Sequence, residues 1–247
     1  MTGRVLVTGA SRGIGRAIAE RLLAQGRPVT AVARDEARLS TLSGADALAW
    51  DLRTPDGVVA RAWDDFGPIE GVVYAAGLAE HQRLEHVTEA QLAAALDVHV
   101  RAPLRLMQDW VPRLRPSAGS AVFVTSTLAS RPAPTTSVYA ASKAALEAFV
   151  RTWAQELAPD GIRVNAVAPG VVDTDMVRAL RLDPNAPAPS PDAVPGLVAE
   201  QLRGLSELHP LGRLGTADEV AQTVVHVLDA AWMTGSVVTL DGGLTAG

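Results

Sequence analysis

The sequence of 247 residues contains no cysteine. Disulfide bonds, thiolate catalysis and zinc sites built from cysteine are therefore excluded. It also contains no apolar run that approaches the roughly 20 residues needed to span a bilayer. No cluster of lysines or arginines stands out, and the net charge is only -5. We therefore expect neither nucleic acid nor an anionic membrane surface as a partner.

The start of the sequence lacks the features of a signal peptide. Met1 is followed almost directly by the strand-like run Arg4-Val5-Leu6-Val7, without a basic region, an apolar core or a cleavage site. We therefore expect a cytoplasmic protein. Because 48% of the residues are hydrophobic and 20% are charged, the composition favours a soluble globular protein with a sizeable core over a disordered chain.

Strand-like and helical segments alternate along the chain. The longest helical patterns lie at about residues 88–114 and 138–157, and shorter ones at residues 16–25 and 36–42. Apolar runs predict seven strands, at residues 4–8, 29–33, 47–50, 69–75, 121–125, 163–167 and 237–240. Such runs are typical of strands buried on both faces, and strand-helix alternation produces parallel sheets. The pattern predicts an α/β protein: a doubly wound parallel sheet of about seven strands with helices on both faces.

One proline-rich stretch interrupts this alternation. Residues 183–191 contain four prolines and Pro195 follows, so regular helix and central strand are excluded there. The stretch marks either a boundary between domains or a mobile flap over a site. The remaining residues, with two helices and one strand, are too few for an independent core. We therefore interpret the stretch as part of a substrate flap at about residues 176–211, within a single domain covering residues 1–247.

A glycine-rich turn follows the first predicted strand. Thr8-Gly9-Ala10-Ser11-Arg12-Gly13-Ile14-Gly15 places three glycines where the backbone must bend sharply and approach a phosphate closely. The free N–H groups and partial positive charge of the next helix favour a pyrophosphate. The spacing is Gly-x-x-x-Gly-x-Gly rather than the more familiar Gly-x-Gly-x-x-Gly. We predict a dinucleotide site at Gly9, Ser11, Arg12, Gly13, Ile14 and Gly15.

The end of the second predicted strand indicates which dinucleotide binds. An acidic residue there would accept hydrogen bonds from the adenosine ribose, but the strand ends in Ala33-Arg34. Arg34 suits a 2′-phosphate instead, and Arg12 supplies a second cation at the same end. Asp35 either pairs with Arg34 or points at a ribose. The pattern favours NADP, as NADPH, over NAD.

Tyr139 and Lys143 lie four residues apart in the second long helical pattern, and therefore on one face of a helix. An ammonium beside the phenol stabilises the phenolate, so we expect the pKa of Tyr139 to fall from its ordinary value near 10. The phenol would then be a usable proton donor near neutral pH. The same spacing also occurs by chance on long helices, so this interpretation depends on the remaining motifs.

Several motifs together resemble the short-chain dehydrogenase/reductase family. They are the glycine turn at residues 8–15, Tyr139-x-x-x-Lys143, Ser126 thirteen residues before the tyrosine, Pro169-Gly170 with Thr174, and Asp241-Gly242-Gly243. These motifs occur in the family's order and cover essentially the whole chain. Within the family, residues 165–176 and 210–220 are most similar to the 3-oxoacyl-[acyl-carrier-protein] reductases.

The resemblance implies a Rossmann-type fold and an NADPH-dependent oxidoreductase that reduces a 3-oxoacyl thioester or another ketone to a secondary alcohol. Tyr139 would donate the proton, and Lys143 would lower its pKa and hold the nicotinamide ribose. Ser126 would bind the substrate oxygen, although Thr125 and Thr127 compete for this role. The other implied cofactor contacts are Asp51 and Leu52 at the adenine, Ala76 and Gly77 after the fourth strand, and Pro169, Gly170, Val172 and Thr174 around the nicotinamide.

Two positions depart from the family pattern. Tyr74-Ala75-Ala76-Gly77 stands where relatives commonly have Asn-Asn-Ala-Gly, and His99 stands where they have the asparagine of the catalytic tetrad. In the family, that asparagine positions a water in the proton path from the lysine. Histidine also donates and accepts hydrogen bonds, but it is bulkier and carries charge near neutral pH. Our hypothesis is that His99 takes over the relay; the alternative is a buried histidine with satisfied hydrogen bonds.

The other histidines have no spacing typical of metal ligands. We therefore predict no metal, and we interpret the following as surface or loop residues: His81, His86, His209 and His226. Two other functions remain open. One is an NAD-dependent dehydrogenase of secondary alcohols, and the other is a dinucleotide-binding sensor or scaffold without catalysis.

Three aromatic residues lie on the two long predicted helices: Trp110, Phe149 and Trp153. In the family these helices pair across subunits, so the resemblance predicts a homotetramer. Core packing would explain the same side chains, because aromatic residues at helical spacing are more often core than interface.

Overall fold

The computed structural model describes residues 2–114, 118–180 and 189–246. Within these ranges the chain forms a sheet of seven parallel strands in the order β3-β2-β1-β4-β5-β6-β7. The strands are β1 Arg4–Thr8, β2 Val29–Ala33, β3 Asp46–Ala49, β4 Ile69–Tyr74, β5 Gly119–Val124, β6 Ile162–Pro169 and β7 Val237–Leu240. The order reverses at β1 and β4, as it does in doubly wound folds. The predicted α/β architecture is therefore confirmed.

Helices connect the strands on both faces of the sheet. In chain order they are α1 Gly13–Ala24, α2 Glu36–Leu39, α3 Val58–Phe66, α4 Glu89–Leu96, α5 Ala102–Leu114, α6 Ser137–Leu157, α7 Asp175–Arg178, α8 Val194–Glu207 and α9 Ala217–Asp229. α3 was not predicted from the sequence, because its buried stripe of Val58, Val59 and Ala62 covers little more than one turn.

Two hydrophobic layers hold the helices against the sheet. α3, α5 and α6 pack on one face, where Trp110 is the largest fully buried side chain. α1 and α9 pack on the other face, with Ile18 at their contact with the sheet. Successive residues of one strand enter opposite layers, as Val72 and Val73 do in β4. This burial on both faces explains why the strands read as continuous apolar runs.

The three aromatic side chains that lie on the two long predicted helices pack mainly in the core of the protein. Trp110 has no exposed surface, and its indole N–H donates to the carbonyl of Ile69 at 2.9 Å. Trp153 is buried in the same layer, and Phe149 stacks on it with ring centres 4.7 Å apart. The tetramer prediction therefore depends on the family resemblance rather than on these side chains.

A π-helical turn divides the helix predicted at residues 88–114. It spans Asp97–Arg101, and the N–H of Ala102 donates to the carbonyl of Asp97, five residues back. Pro103 has no N–H, so the carbonyls that precede it lose a helical donor. Such turns often occur at functional sites, and this one carries His99.

The structure describes only part of the predicted flap. Most of the proline-rich stretch at residues 183–191 lies outside the described residues. α8 begins at Val194, with Pro195 in its first turn, where the missing N–H of proline needs no helical partner. In the described ranges, no helix is both long enough and apolar enough to cross a membrane.

Candidate active site

The carboxyl ends of β4, β5 and β6 border one cavity of about 650 Å³. Ligands of doubly wound sheets bind at this edge, near the point where the strand order reverses. The lining includes nine residues that were predicted to contact cofactor or substrate: Ile14, Gly77, Ser126, Tyr139, Lys143, Pro169, Gly170, Val172 and Thr174. The fold therefore gathers residues that are far apart in sequence around one space.

The glycine turn packs tightly against the end of β4. Gly9 has a φ of 69°, and a Cβ there would lie 2.9 Å from the backbone nitrogen of Ala76. A Cβ at Gly15 would lie 2.3 Å from the carbonyl oxygen of Gly9, so neither position admits a side chain. The Thr8 hydroxyl accepts hydrogen bonds from the N–H groups of Ala75 and Ala76, at 3.1 and 3.2 Å. These contacts fix the turn beside the cavity.

The N-terminus of α1 is free to bind an anion. Arg12 precedes the helix without a side-chain hydrogen bond to it, and the first turn of this fully described helix holds no acidic residue. The first N–H groups of the helix therefore lack a capping side chain, and the helix dipole favours negative charge there. This arrangement fits the pyrophosphate of a dinucleotide.

Asp35 adopts neither of the two roles left open for it. Its carboxylate caps α2 by accepting the N–H of Arg38 at 3.0 Å, and it pairs with the guanidinium of Arg38 at 3.2 Å. Arg34 is exposed beside it. Arg12 lies 4.0 Å from the carboxylate of Asp175, which Arg38 also approaches to 3.4 Å. Exposed guanidinium groups thus surround the end of β2.

Hydrogen bonds distinguish Ser126 from the two threonines beside it. The Thr125 hydroxyl is 3.2 Å from a buried glutamate carboxylate on α6, and the Thr127 hydroxyl donates to the carbonyl of Pro169 at 3.3 Å. Both groups are therefore engaged with the protein. The Ser126 hydroxyl accepts the N–H of Leu128 at 3.2 Å, which leaves its own proton available to donate. Ser126 also lowers the pKa of Tyr139, and both side chains line the cavity. The geometry favours Ser126 as the group that meets a substrate oxygen.

The phenol of Tyr139 does not have the lowered pKa that the sequence predicted. Burial raises the pKa of Tyr139, and the hydrogen bond from Ser126 offsets only part of that effect. The Lys143 ammonium donates to the carbonyl of Val124 at 2.9 Å and lies 5.8 Å from the centre of the tyrosine ring. Burial also lowers the pKa of Lys143, to about 8. The prediction was wrong for this structure, because burial is the largest influence on the pKa of the phenol and keeps the phenol protonated near neutral pH.

His99 is fully buried in the π-turn, and both of its ring nitrogens are engaged by protein groups. Nε2 accepts the N–H of Leu78 at 3.2 Å, and Nδ1 lies 2.8 Å from the hydroxyl of Ser142. The ring meets the Tyr139 ring edge to face, with centres 5.5 Å apart. Burial, and then the charge of Lys143, lower the pKa of His99 to about 2. The imidazole is therefore neutral near pH 7.

His209 was interpreted as a surface or loop residue; it lies in the loop after α8, but it is buried. Only 3% of its surface is exposed. Its Nε2 accepts the N–H of Val171 at 3.2 Å, and its Nδ1 lies 2.9 Å from the carbonyl of Leu205 on α8. No local pattern revealed the bond to Val171, because that residue is 38 positions away in the sequence. His209 thereby joins the flap to the loop that follows β6.

Asp51 and Leu52 are not among the residues that line the cavity. Leu52 is 6% exposed and packs in the core. The carboxylate of Asp51 pairs with Arg53 at 2.6 Å, and that hydrogen bond holds the pKa of Asp51 below its ordinary value. Their contact with adenine stays a prediction.

More of the cavity lining is apolar than polar, although His81, Gln82, Arg83 and Arg131 also border it. Its lining includes Leu78, Leu128, Pro132, Pro134, Met176, Val177, Leu205, Leu208 and Leu244. Met176 and Leu208 expose 42% and 55% of their surface, which a bound apolar group would cover. Thr135, with a φ of 68°, accepts the N–H of Gln82 at 2.9 Å and so joins the two loops of the cavity wall.

Comparisons with known proteins agree with this architecture. The family profile described as Enoyl-(Acyl carrier protein) reductase matches residues 9–245. The chain is 34% identical to an L-xylulose reductase of Caenorhabditis elegans, over 98% of this chain and 95% of that protein. It is 32% identical to the 3-oxoacyl-[acyl-carrier-protein] reductase MabA of Mycobacterium tuberculosis (strain ATCC 25618 / H37Rv), over 98% and 93%.

A solved structure shows the same fold. The ligand-free aldohexose dehydrogenase of Thermoplasma acidophilum superposes with a TM-score of 0.87 at 27% identity, covering 99% of this chain and 94% of that one. The relatives are named as reductases and dehydrogenases, and the family binds nicotinamide dinucleotides. The chain therefore belongs to the short-chain dehydrogenase/reductase family of oxidoreductases.

Proposed function

We propose that this enzyme is an NADPH-dependent carbonyl reductase that converts a ketone, and first of all a 3-oxoacyl thioester, into a secondary alcohol. The observation that carries the proposal is the convergence of Ser126, Tyr139 and Lys143 on one cavity. The uncapped N-terminus of α1 supplies the adjoining phosphate site. The membership of the chain in a family of oxidoreductases, together with these side chains at one cavity, supports the proposal of carbonyl reduction.

The side chains divide the work of reduction. When bound, the reduced nicotinamide supplies a hydride to the carbonyl carbon. Ser126 donates a hydrogen bond to the substrate oxygen, where negative charge develops. Tyr139 transfers its phenolic proton to that oxygen, which completes the alcohol. Lys143 then stabilises the phenolate and holds the nicotinamide ribose.

The proposed cofactor contacts extend from the glycine turn to the loop after β6. They comprise Gly9, Ser11, Arg12, Gly13, Ile14, Gly15, Arg34, Asp51, Leu52, Ala76, Gly77, Tyr139, Lys143, Pro169, Gly170, Val172 and Thr174. NADPH is favoured over NADH because Arg34 and Arg12 are exposed cations beside β2, and because the acidic Asp35 is already engaged in capping α2.

The cavity wall favours an acyl chain over a sugar. A polyhydroxylated substrate needs a hydrogen-bonding partner for each buried hydroxyl, whereas most of the side chains beyond Ser126 and Tyr139 are apolar. Burying an aliphatic chain against Met176 and Leu208 stabilises the complex by about 0.8 kcal/mol for each CH₂. We therefore expect kcat/KM to rise with the length of the acyl chain.

Turnover tests this proposal directly. NADPH oxidation would be followed with 3-oxoacyl thioesters of increasing chain length, simple ketones, quinones and ketoses. The proposal predicts that 3-oxoacyl thioesters are the best substrates, with a gain in kcat/KM of roughly tenfold for each added pair of CH₂ groups. A preference for ketoses, or no dependence on chain length, would contradict the assigned substrate class.

The two alternative functions give different results in the same assay. An NAD-dependent dehydrogenase would oxidise secondary alcohols faster with NAD than with NADP. A sensor or scaffold would bind NADPH without turning it over, which equilibrium binding measured beside the assay would reveal. The presence of Ser126, Tyr139 and Lys143 at the cavity favours the enzyme.

The homotetramer and the cytoplasmic location stay predictions from the family resemblance and the sequence. Sedimentation velocity of the purified protein at several concentrations tests the first. A monomer at micromolar concentration would contradict it.

A further inference from the structure

The π-turn leaves one carbonyl without a helical donor, and Tyr74 supplies the missing bond. The α-helical donor for Val98 would be the N–H of Ala102, but that group donates to Asp97. The next candidate in a π-turn is residue 103, which is proline and has no N–H. The phenol of Tyr74 donates to the carbonyl of Val98 at 2.6 Å. A side chain at the end of β4 therefore stabilises the turn that carries His99.

The hydrogen bonds of His99 define its tautomer. The N–H of Leu78 can only donate, so Nε2 of His99 is the acceptor. In the neutral ring, Nδ1 then carries the proton and donates it to the hydroxyl oxygen of Ser142. The proton of Ser142 goes to the carbonyl of Tyr139 at 2.8 Å. Every donor in this chain has an acceptor, and neither ring nitrogen has capacity left for a proton relay.

The same contacts join two walls of the cavity. Leu78 belongs to the loop after β4, and Ser142 lies on α6 between Tyr139 and Lys143. The backbone of Gly77 fits between them, since a Cβ there would lie 3.2 Å from Nε2 of His99 and 3.7 Å from Nζ of Lys143. A shift of the imidazole would therefore move the loop relative to the helix that carries the catalytic side chains.

We propose that His99 is a positioning residue and not a proton carrier. It clamps the loop after β4 to α6, and the hydrogen bond from Tyr74 to Val98 holds the π-turn that carries His99 in place. The inference rests on the proposed reductase activity of Tyr139. It replaces the relay hypothesis for His99 and joins the two departures from the family pattern, Tyr74 and His99, into one unit.

Glutamine provides the matched variant, because it reproduces the hydrogen bonds without an ionisable group near neutral pH. Its amide oxygen accepts the N–H of Leu78, and its NH₂ donates to Ser142. In single-turnover measurements of hydride transfer, we expect His99→Gln to lose less than about fivefold and His99→Leu roughly ten- to hundredfold. The relay hypothesis predicts instead that both variants are equally slow and that the pH profile changes in both.

Ser142→Ala tests the other end of the clamp. It removes the acceptor of the Nδ1 proton, so a positioning role predicts a several-fold loss of hydride transfer that does not add to the loss in His99→Leu. Additive losses, or no effect of Ser142→Ala, would overturn the clamp. Thermal unfolding and NADPH binding of each variant separate a displaced site from a failure to fold.

Nuclear magnetic resonance of ¹⁵N-histidine gives a readout that needs no activity. We expect the His99 signal, identified by its loss in His99→Gln, to show a proton on Nδ1 and none on Nε2 from about pH 6 to about pH 8. A proton on Nε2, or a titration within that range, would overturn the proposal. Absence of turnover in the wild type would refute the reductase function alone, because the tautomer would still report on the clamp.

Discussion

The ammonium of Lys143 donates to the carbonyl of Val124 at 2.9 Å while lying 5.8 Å from the centre of the Tyr139 ring. In this arrangement the ammonium hydrogen-bonds the end of β5 and also lies over the ring of Tyr139. Its burial makes the ammonium less stable than in water, which lowers its pKa to about 8. We therefore expect the stability of the protein at alkaline pH to depend on this side chain.

The folded protein should gain stability between about pH 8 and pH 10. The pKa of Lys143 is depressed, so in this interval the unfolded chain binds more protons than the folded one, and the free energy of unfolding rises with pH. A pKa of 10.5 for the lysine in the unfolded chain and of about 8 in the folded protein corresponds to a rise of about 3 kcal/mol in the free energy of unfolding. Urea unfolding at several pH values should show this rise, and Lys143→Met should lack it.

Above pH 10 the trend should reverse. Burial raises the pKa values of both tyrosines in the sequence, Tyr74 and Tyr139. Above pH 10 only the unfolded chain therefore releases phenolic protons, and the free energy of unfolding falls as the pH rises. Phenolate absorbance of the folded protein should therefore stay low at pH 10. An early phenolate signal that Tyr139→Phe abolishes would contradict the raised pKa.

The two tyrosines should have separable effects. Tyr139→Phe removes the proton donor, so kcat should fall about 10²- to 10⁴-fold, a larger change than that in the Kd for NADPH. Tyr74→Phe leaves the buried carbonyl of Val98 without its donor and should lower the free energy of unfolding by about 1–3 kcal/mol. A larger loss of kcat in Tyr74→Phe than in Tyr139→Phe would refute the assignment of the acid.

Arg34→Asp should reverse the cofactor preference. The new carboxylate repels a 2′-phosphate and accepts hydrogen bonds from a ribose, so the ratio of kcat/KM for NADPH over NADH should fall at least about tenfold. Arg61→Asp makes the same charge change on α3, on the face opposite α1, and serves as the control. Equal effects of the two variants would indicate a general charge effect instead of phosphate recognition.

Asp175→Asn should strengthen NADPH binding. The carboxylate of Asp175 lies near Arg12 and Arg38, both at the end of the cofactor site where the 2′-phosphate is expected. Exposed ion pairs contribute about 0–1 kcal/mol, so their removal should lower the Kd for NADPH up to about fivefold. The Kd for NADH should stay the same, and fluorescence titration measures both.

Acid should destabilise the protein through His99. Its pKa is about 2 when folded, against an ordinary 6.5, so its contribution to stability is complete above pH 6.5 and is lost as the pH falls towards 2. Between pH 6.5 and about 5, before most carboxylates titrate, the free energy of unfolding should fall by up to about 1.4 kcal/mol per pH unit. His99→Gln should show a shallower slope, and an unchanged slope would contradict the assigned pKa.

The features that local sequence determines were predictable. β1, β2 and β7 begin and end at the predicted residues, because a short apolar run bounded by glycine or polar residues forms a strand wherever both faces are buried. The glycine turn was predictable for a similar reason. Gly9 and Gly15 have no room for a Cβ, and this requirement leaves a direct trace in the sequence.

The features that depend on distant contacts were not predictable. Tyr74 and Val98 are 24 residues apart, and His99 and Ser142 are 43 residues apart, so no local pattern reports their bonds. The same applies to the pKa of Tyr139. The sequence shows the neighbouring lysine, but the burial that raises the pKa arises only when α6 packs against β5.

Lys143 is the only lysine in the sequence, and the other residues counted with it as lysine or arginine are all arginines. Its side chain is 4% exposed. An amine-directed reagent therefore has a single ε-amino target, and that group borders the cavity. Mass spectrometry of the acylated protein would separate that group from the terminal amine. A compound that fills the cavity should reduce the acylation of Lys143, so the extent of acylation reports ligand binding even in a crude mixture of candidate compounds.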